Sequence, residues 1–138
     1  SQHVEEVIAP ALSEGKVVIC DRFNTATFAY QGYGLGMDMG LVMSMDGAAT
    51  GGLEPDLTLL LDVDVRTGLE RAGSAGQADR MEKREVDFHE RVRGGYLEMA
   101  AKDPGRIKII PAADGIEHIY GLVKEEVYAL VEGHKGSE

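Results

Sequence analysis

Tryptophan is absent from these 138 residues, proline occurs four times and cysteine once. A single cysteine excludes an intramolecular disulfide and fits a reduced, cytosolic setting. The four histidines, His3, His89, His118 and His134, show no zinc-ligand spacing with the scattered acids. Long apolar runs are missing too. None approaches the roughly 20 residues that span a bilayer, and no secretory signal is visible. Positive charge is scarce, with 14 Lys and Arg against 24 Asp and Glu and a formal net charge of −10. That balance argues against a nucleic-acid surface, which needs clustered cations. It leaves a nucleotide substrate open, because a few local arginines outweigh a distant acidic surface. What remains is an ordinary soluble composition, 43% hydrophobic and 28% charged, enough for one domain over 1–138. The chain opens at Ser1, already inside an amphipathic pattern (Val4, Val7, Ile8, Ala11, Leu12), which reads as a piece of a longer protein.

Punctuation and periodicity divide the chain. A first helix carries the awkward Pro10 and ends at Gly15. Lys16 to Cys20 is a β-branched apolar run expected to be a strand covered on both faces, with Cys20 a buried, reduced thiol. Leu41, Val42 and Met45 suggest a short helix, and Gly47 to Gly52 a loop. Leu57 to Val63 is a second buried strand. Thr67 to Arg71 reads as a brief helix before the polar stretch from Ala72 to Asp79. Phe88, Val92, Tyr96, Leu97 and Ala100 recur at helical spacing until Pro104-Gly105. Ile107 to Ile110 is a third strand, and Ile116 to Val131 a closing helix with a frayed tail after it. Short buried strands alternating with helices imply an α/β fold with a parallel sheet and right-handed crossovers. Three strands leave that doubly wound sheet incomplete.

Candidate site residues follow from position. Asp21-Arg22 closes the first strand, and the carboxyl ends of such strands face the ligand crevice. Arg presents a planar fork that matches phosphate oxygens, and Asp can hold a Mg²⁺-bound water. The pair suits phosphoryl transfer, although a surface ion pair is an equal reading of the two residues alone. Thr27, Tyr30 and Gln31 are spaced so that two of them share a helical face. Gln can read a base edge and Tyr can pack on a sugar, against the plainer reading of a polar helix surface. Segment 72–84, with Arg71 before it and Arg80 and Arg84 within it, is either a lid that brings arginines over transferring phosphates or an exposed loop and helix start. No Gly-Lys-Ser/Thr phosphate loop occurs anywhere.

The stretch DRFNTATFAYQGYGLG (Asp21 to Gly36) resembles the thymidylate kinase signature. Glu54-Pro55-Asp56-Leu57-Thr58, Asp79-Arg80-Met81-Glu82, Asp87-Phe88, Arg91-Val92-Arg93 and Gly95-Tyr96-Leu97-Glu98 resemble the same family in the same order, as does QHVEEVIAPALSEGK at the start. The resemblance covers nearly all of the chain up to the last helix. It implies a P-loop nucleoside monophosphate kinase that moves the ATP γ-phosphate onto dTMP with Mg²⁺, as a cytoplasmic homodimer. Arg22 would hold the acceptor phosphate and Asp21 would act near Mg²⁺, through water. Thr27 and Gln31 would lie near thymine and Tyr30 against the deoxyribose. Arg80 and Arg71 would close over the ATP phosphates.

Departures from the pattern are Phe23, Ala26, Leu35, Gly73, Ala75 and Pro111, several of them where the family often carries charge. The phosphate loop, its strand and the next strand are not in the sequence, so it reads as the C-terminal part of such a kinase. The family sheet places the phosphate-loop strand between the strands ending at Asp21 and Asp62, which would leave both with an open edge. Other readings are a different nucleotide or deoxynucleoside kinase of the same fold, or a non-catalytic remnant that dimerises or binds nucleotide.

Overall fold

The computed structural model describes residues 2–73 and 79–135. They fall into two compact units, Ser1–Glu54 and Pro55–Glu138.

In the first unit the opening helix is π-wound over Val4–Ile8 and α-helical over Ala9–Ser13 (α1). Pro10 falls inside this continuous helix, where its missing N–H withdraws one helical donor, just past the wider π turns. Gly15, at φ +73°, ends the turn. The expected first strand is corrected: Lys16–Cys20 pairs with no strand among the described residues, and Val17 and Ile19 are 84% and 94% exposed. Cys20 is exposed rather than buried. The physical reason is that an apolar run becomes a buried strand only when a ladder neighbour satisfies its backbone and covers its faces. Two further helices complete the unit. The segment α2 (Asn24–Thr27) runs directly into a π-wound stretch, Phe28–Gly34. Then Asp38 caps α3 (Met39–Thr50), its Oδ1 accepting from Leu41 N at 2.8 Å. The loop expected from Gly47 is instead the last turn of α3, which stops at the left-handed Gly51.

The second unit holds the sheet. Strand β1 (Thr58–Asp62) pairs in parallel with β2 (Ile107–Pro111), Thr58 opposite Ile107 and Asp62 opposite Pro111. A parallel pair needs a crossover, supplied by α4 (Val65–Arg71) and α5 (Asp79–Lys102). Pro111 has no N–H to extend the ladder, yet Ala112 N still donates to Asp62 O at 2.7 Å. Val65, Val92, Ala100, Ile107, Ile110 and Ala112 form the buried apolar set. Beyond β2, α6 (Ile116–Lys135) continues past Val131 into the expected tail. Within the lid segment, residues 74–78 lie outside the described residues. The α/β class with a parallel sheet and flanking helices is the fold expected from the sequence, with two of its three strands formed.

Candidate functional site

Among the described residues Arg22 is the one non-glycine with positive φ, at 65°. The left-handed region costs an L-residue roughly 1–2 kcal/mol, so the surroundings must hold it there. Part of that hold is visible: Cys20 Sγ donates to Arg22 O at 3.5 Å, and the guanidinium carbon lies 5.6 Å from the Tyr30 ring centroid. The cation therefore rests on an aromatic face rather than on a carboxylate. Asp21 beside it is exposed and has no hydrogen-bond or ion-pair partner among the described residues.

Tyr30 and Gln31 fall in the π-wound stretch, where Leu35 N reaches back five residues to Tyr30 O at 2.9 Å. Such wide turns are often found at functional sites. Thr27 and Gln31 are exposed and Tyr30 is half-buried. Arg22 and Tyr30 are brought into contact; Thr27 and Gln31 present exposed side chains on the same continuous helix. The π winding carries no clear signal in the residues beyond the glycines at Gly32 and Gly34.

Asn24 was missed by the reading of the sequence. It is only 2% exposed; its Oδ1 accepts from Thr25 N at 2.8 Å, and its buried Nδ2 has no partner at bonding geometry. The Asp46 carboxyl of α3 is pushed above its usual range by burial, then by the charge of Glu54, while the Asn24 amide pulls the other way. That amide is close enough to favour the carboxylate without making a well-formed bond to it.

In the second unit the carboxyl ends of β1 and β2 gather three charged groups. Asp62 Oδ1 and Oδ2 accept from Arg93 Nε at 2.7 Å and Nη2 at 2.9 Å, a two-pronged fork. Arg71 spends its own fork on the loop after β2, donating to Ala112 O at 2.9 Å and Ala113 O at 3.0 Å. To close over a phosphate it would have to leave those carbonyls. Arg80 sits in the first turn of α5 and its side chain falls outside the described residues, while Arg84 is exposed. The acid closing β1 repeats the pattern that drew attention to Asp21, an apolar run ending in Asp. The same signal points to Asp62.

Among the described residues no three His, Cys, Asp or Glu side chains cluster as a metal site. Asp21 alone suits a hard cation that keeps several waters and binds mainly through substrate phosphates. No helix of the described residues is long and apolar enough to cross a membrane.

The thymidylate kinase family model matches residues 1–122. The chain is 55% identical over 126 residues to a thymidylate kinase of Desulfovibrio desulfuricans, covering 86% of this chain and 58% of that protein. It is 45% identical over 140 residues to one from Geotalea uraniireducens, covering 96% and 66%. The chain thus spans about three-fifths to two-thirds of the length of these curated relatives. Its structure resembles the crystal structure of thymidylate kinase from Ehrlichia chaffeensis with a TM-score of 0.70 and 31% identity, over 92% of this chain and 57% of that one. A match over residues 1–122, with a fold and a helical signature of the same kind, means that the chain belongs to the thymidylate kinase family.

Proposed function

We propose that the protein containing this sequence transfers the γ-phosphoryl group of ATP to dTMP, giving dTDP. The observation that carries this reading is Arg22, held in the left-handed region against Tyr30. Strain of that kind is retained where a side chain must be aimed, and an exposed guanidinium fork is matched to a phosphate. In this reading Arg22 grips the acceptor phosphate, Tyr30 packs on the deoxyribose and disfavours a 2′-hydroxyl, and Thr27 and Gln31 meet thymine. Asp21 holds Mg²⁺ through water, and that ion would neutralise charge on the phosphates when bound. Arg80 lies over the ATP phosphates, joined by Arg71 if it exchanges its carbonyl partners for phosphate. The reaction asks for positioning and charge neutralisation more than for covalent chemistry, which suits an exposed guanidinium beside a carboxylate at Asp21-Arg22. The protein is proposed to act as a cytoplasmic homodimer.

The test is Arg22→Ala in the whole protein encoded by the reading frame that contains this sequence. It should lower kcat/KM for dTMP by at least about 10²-fold, comparable with losing one preorganised charge donor. Unchanged turnover would remove Arg22 from the site and the reading with it.

A further inference from the structure

Helix α5 is 24 residues long, about 36 Å at 1.5 Å per residue, and its two halves are held differently. From 84 to 91 no side chain is buried; Val92, 4% exposed, is the first that is. Arg93 follows at once, with its fork on Asp62. Gly94 and Gly95 come next, two helix-weakening residues inside the helix. A Cβ built on Gly94 meets nothing within 4 Å, so close packing does not account for glycine there. The arm, whose side chains over 84–91 are at most half-buried, therefore passes the buried Val92 and joins a C-terminal half buried at Ala100 through a soft point, and the Arg93–Asp62 fork lies on the arm's side of it. Asp62 is a fixed post: its carbonyl accepts from Ala112 N at 2.7 Å, and Ala112 O is held in turn by Arg71.

We infer that Arg93 is a positioning residue whose fork on Asp62 sets the direction of the N-terminal arm of α5 across the Gly94–Gly95 soft point. The lever is long. Arg80 stands 13 residues before Arg93, about 20 Å along the axis, so a swing of roughly 10° displaces that end by more than about 3 Å. Misplacements smaller than that cost phosphoryl transfer heavily. The consequence for catalysis rests on the proposed function; the tie itself does not.

Backbone amide exchange on the 138-residue chain tests the tie. Arg93→Gln should speed exchange over 84–92 by about ten-fold or more while β1 and 96–102 keep their protection. Arg93→Lys, which keeps the charge and loses the fork, should behave like Arg93→Gln. Adding Gly94→Ala to Arg93→Gln should restore most of the protection by stiffening the soft point. Unaltered exchange over 84–92, a loss spread evenly over the second unit, full protection in Arg93→Lys, or no recovery with Gly94→Ala would each overturn the inference. In the whole protein, Arg93→Gln should lower kcat about ten-fold with KM for dTMP held within about two-fold, and Gly94→Ala should recover part of it. A raised KM with unchanged kcat would overturn the positioning role. A whole protein without dTMP turnover would overturn the proposed function and leave the exchange data to judge the tie.

Discussion

Asp46 occupies a place that disfavours its own charge. Burial leads, the Glu54 carboxylate adds to it, and together they push the Asp46 carboxyl above the usual value of 3.8. The folded chain therefore holds this proton more tightly than the unfolded chain does. What the group contributes to stability is present below the usual value and is lost as pH rises through the raised one. Asp46→Asn, which cannot ionise, should melt higher than the parent chain near neutral pH and lose that advantage well below pH 3.8. Thermal melts at the two pH values decide it, and an equal difference at both would show that the charge is not the cause. Arg22 and Tyr30 were legible in the sequence because their chemistry and neighbours are local. Asn24 and Asp46 were not, because they lie on different helices and only tertiary packing makes either one a buried polar group. Arg71 was legible as a cation but not as one already occupied, since the carbonyls that take its fork come from a loop 41 residues on.

At the scale of elements, short-range chemistry carried the helices and long-range pairing decided the strands. Asp38 announces α3 by accepting from Leu41 N, a bond within one turn and so readable in advance. Asp38→Ala should cost about 1 kcal/mol of stability, measured by urea denaturation of the chain. A loss near zero would mean that α3 is held by packing alone. The same locality misleads at Gly47, where a glycine-rich stretch has the composition of a loop while the helix persists to Thr50. Propensity is a weak prior that a firm N-cap and tertiary contacts override. The apolar runs at Val17–Cys20 and Thr58–Asp62 look alike on paper. Among the described residues only the second finds a neighbour, β2, across the ladder, and no property of either run foretells which will. The π winding at Tyr30 was equally hidden, since it depends on hydrogen-bond register rather than on residue type.

For the molecule as a whole, alternating helices and short strands were enough to give the α/β class, and several motifs in register gave the family. What no local pattern could give was the division into Ser1–Glu54 and Pro55–Glu138, a property of how contacts are distributed. Nothing among these 138 residues offers the Gly-x-x-x-x-Gly-Lys-Ser/Thr cradle for ATP phosphates, so this chain by itself should not phosphorylate dTMP. A coupled assay comparing it with the whole protein will show that difference or dispose of it. The exposure of Cys20 has a practical consequence. Because it is the sole sulfhydryl in the sequence, a maleimide or iodoacetamide dye will attach at one place, two residues from Arg22. The alkylation rate is then a clock for whatever shields the stretch from Val17 to Cys20. With Cys20 exposed the bare chain should label readily, and any polypeptide that lies along that edge must slow the clock. Fast labelling of the whole protein would show that the edge stays open there too.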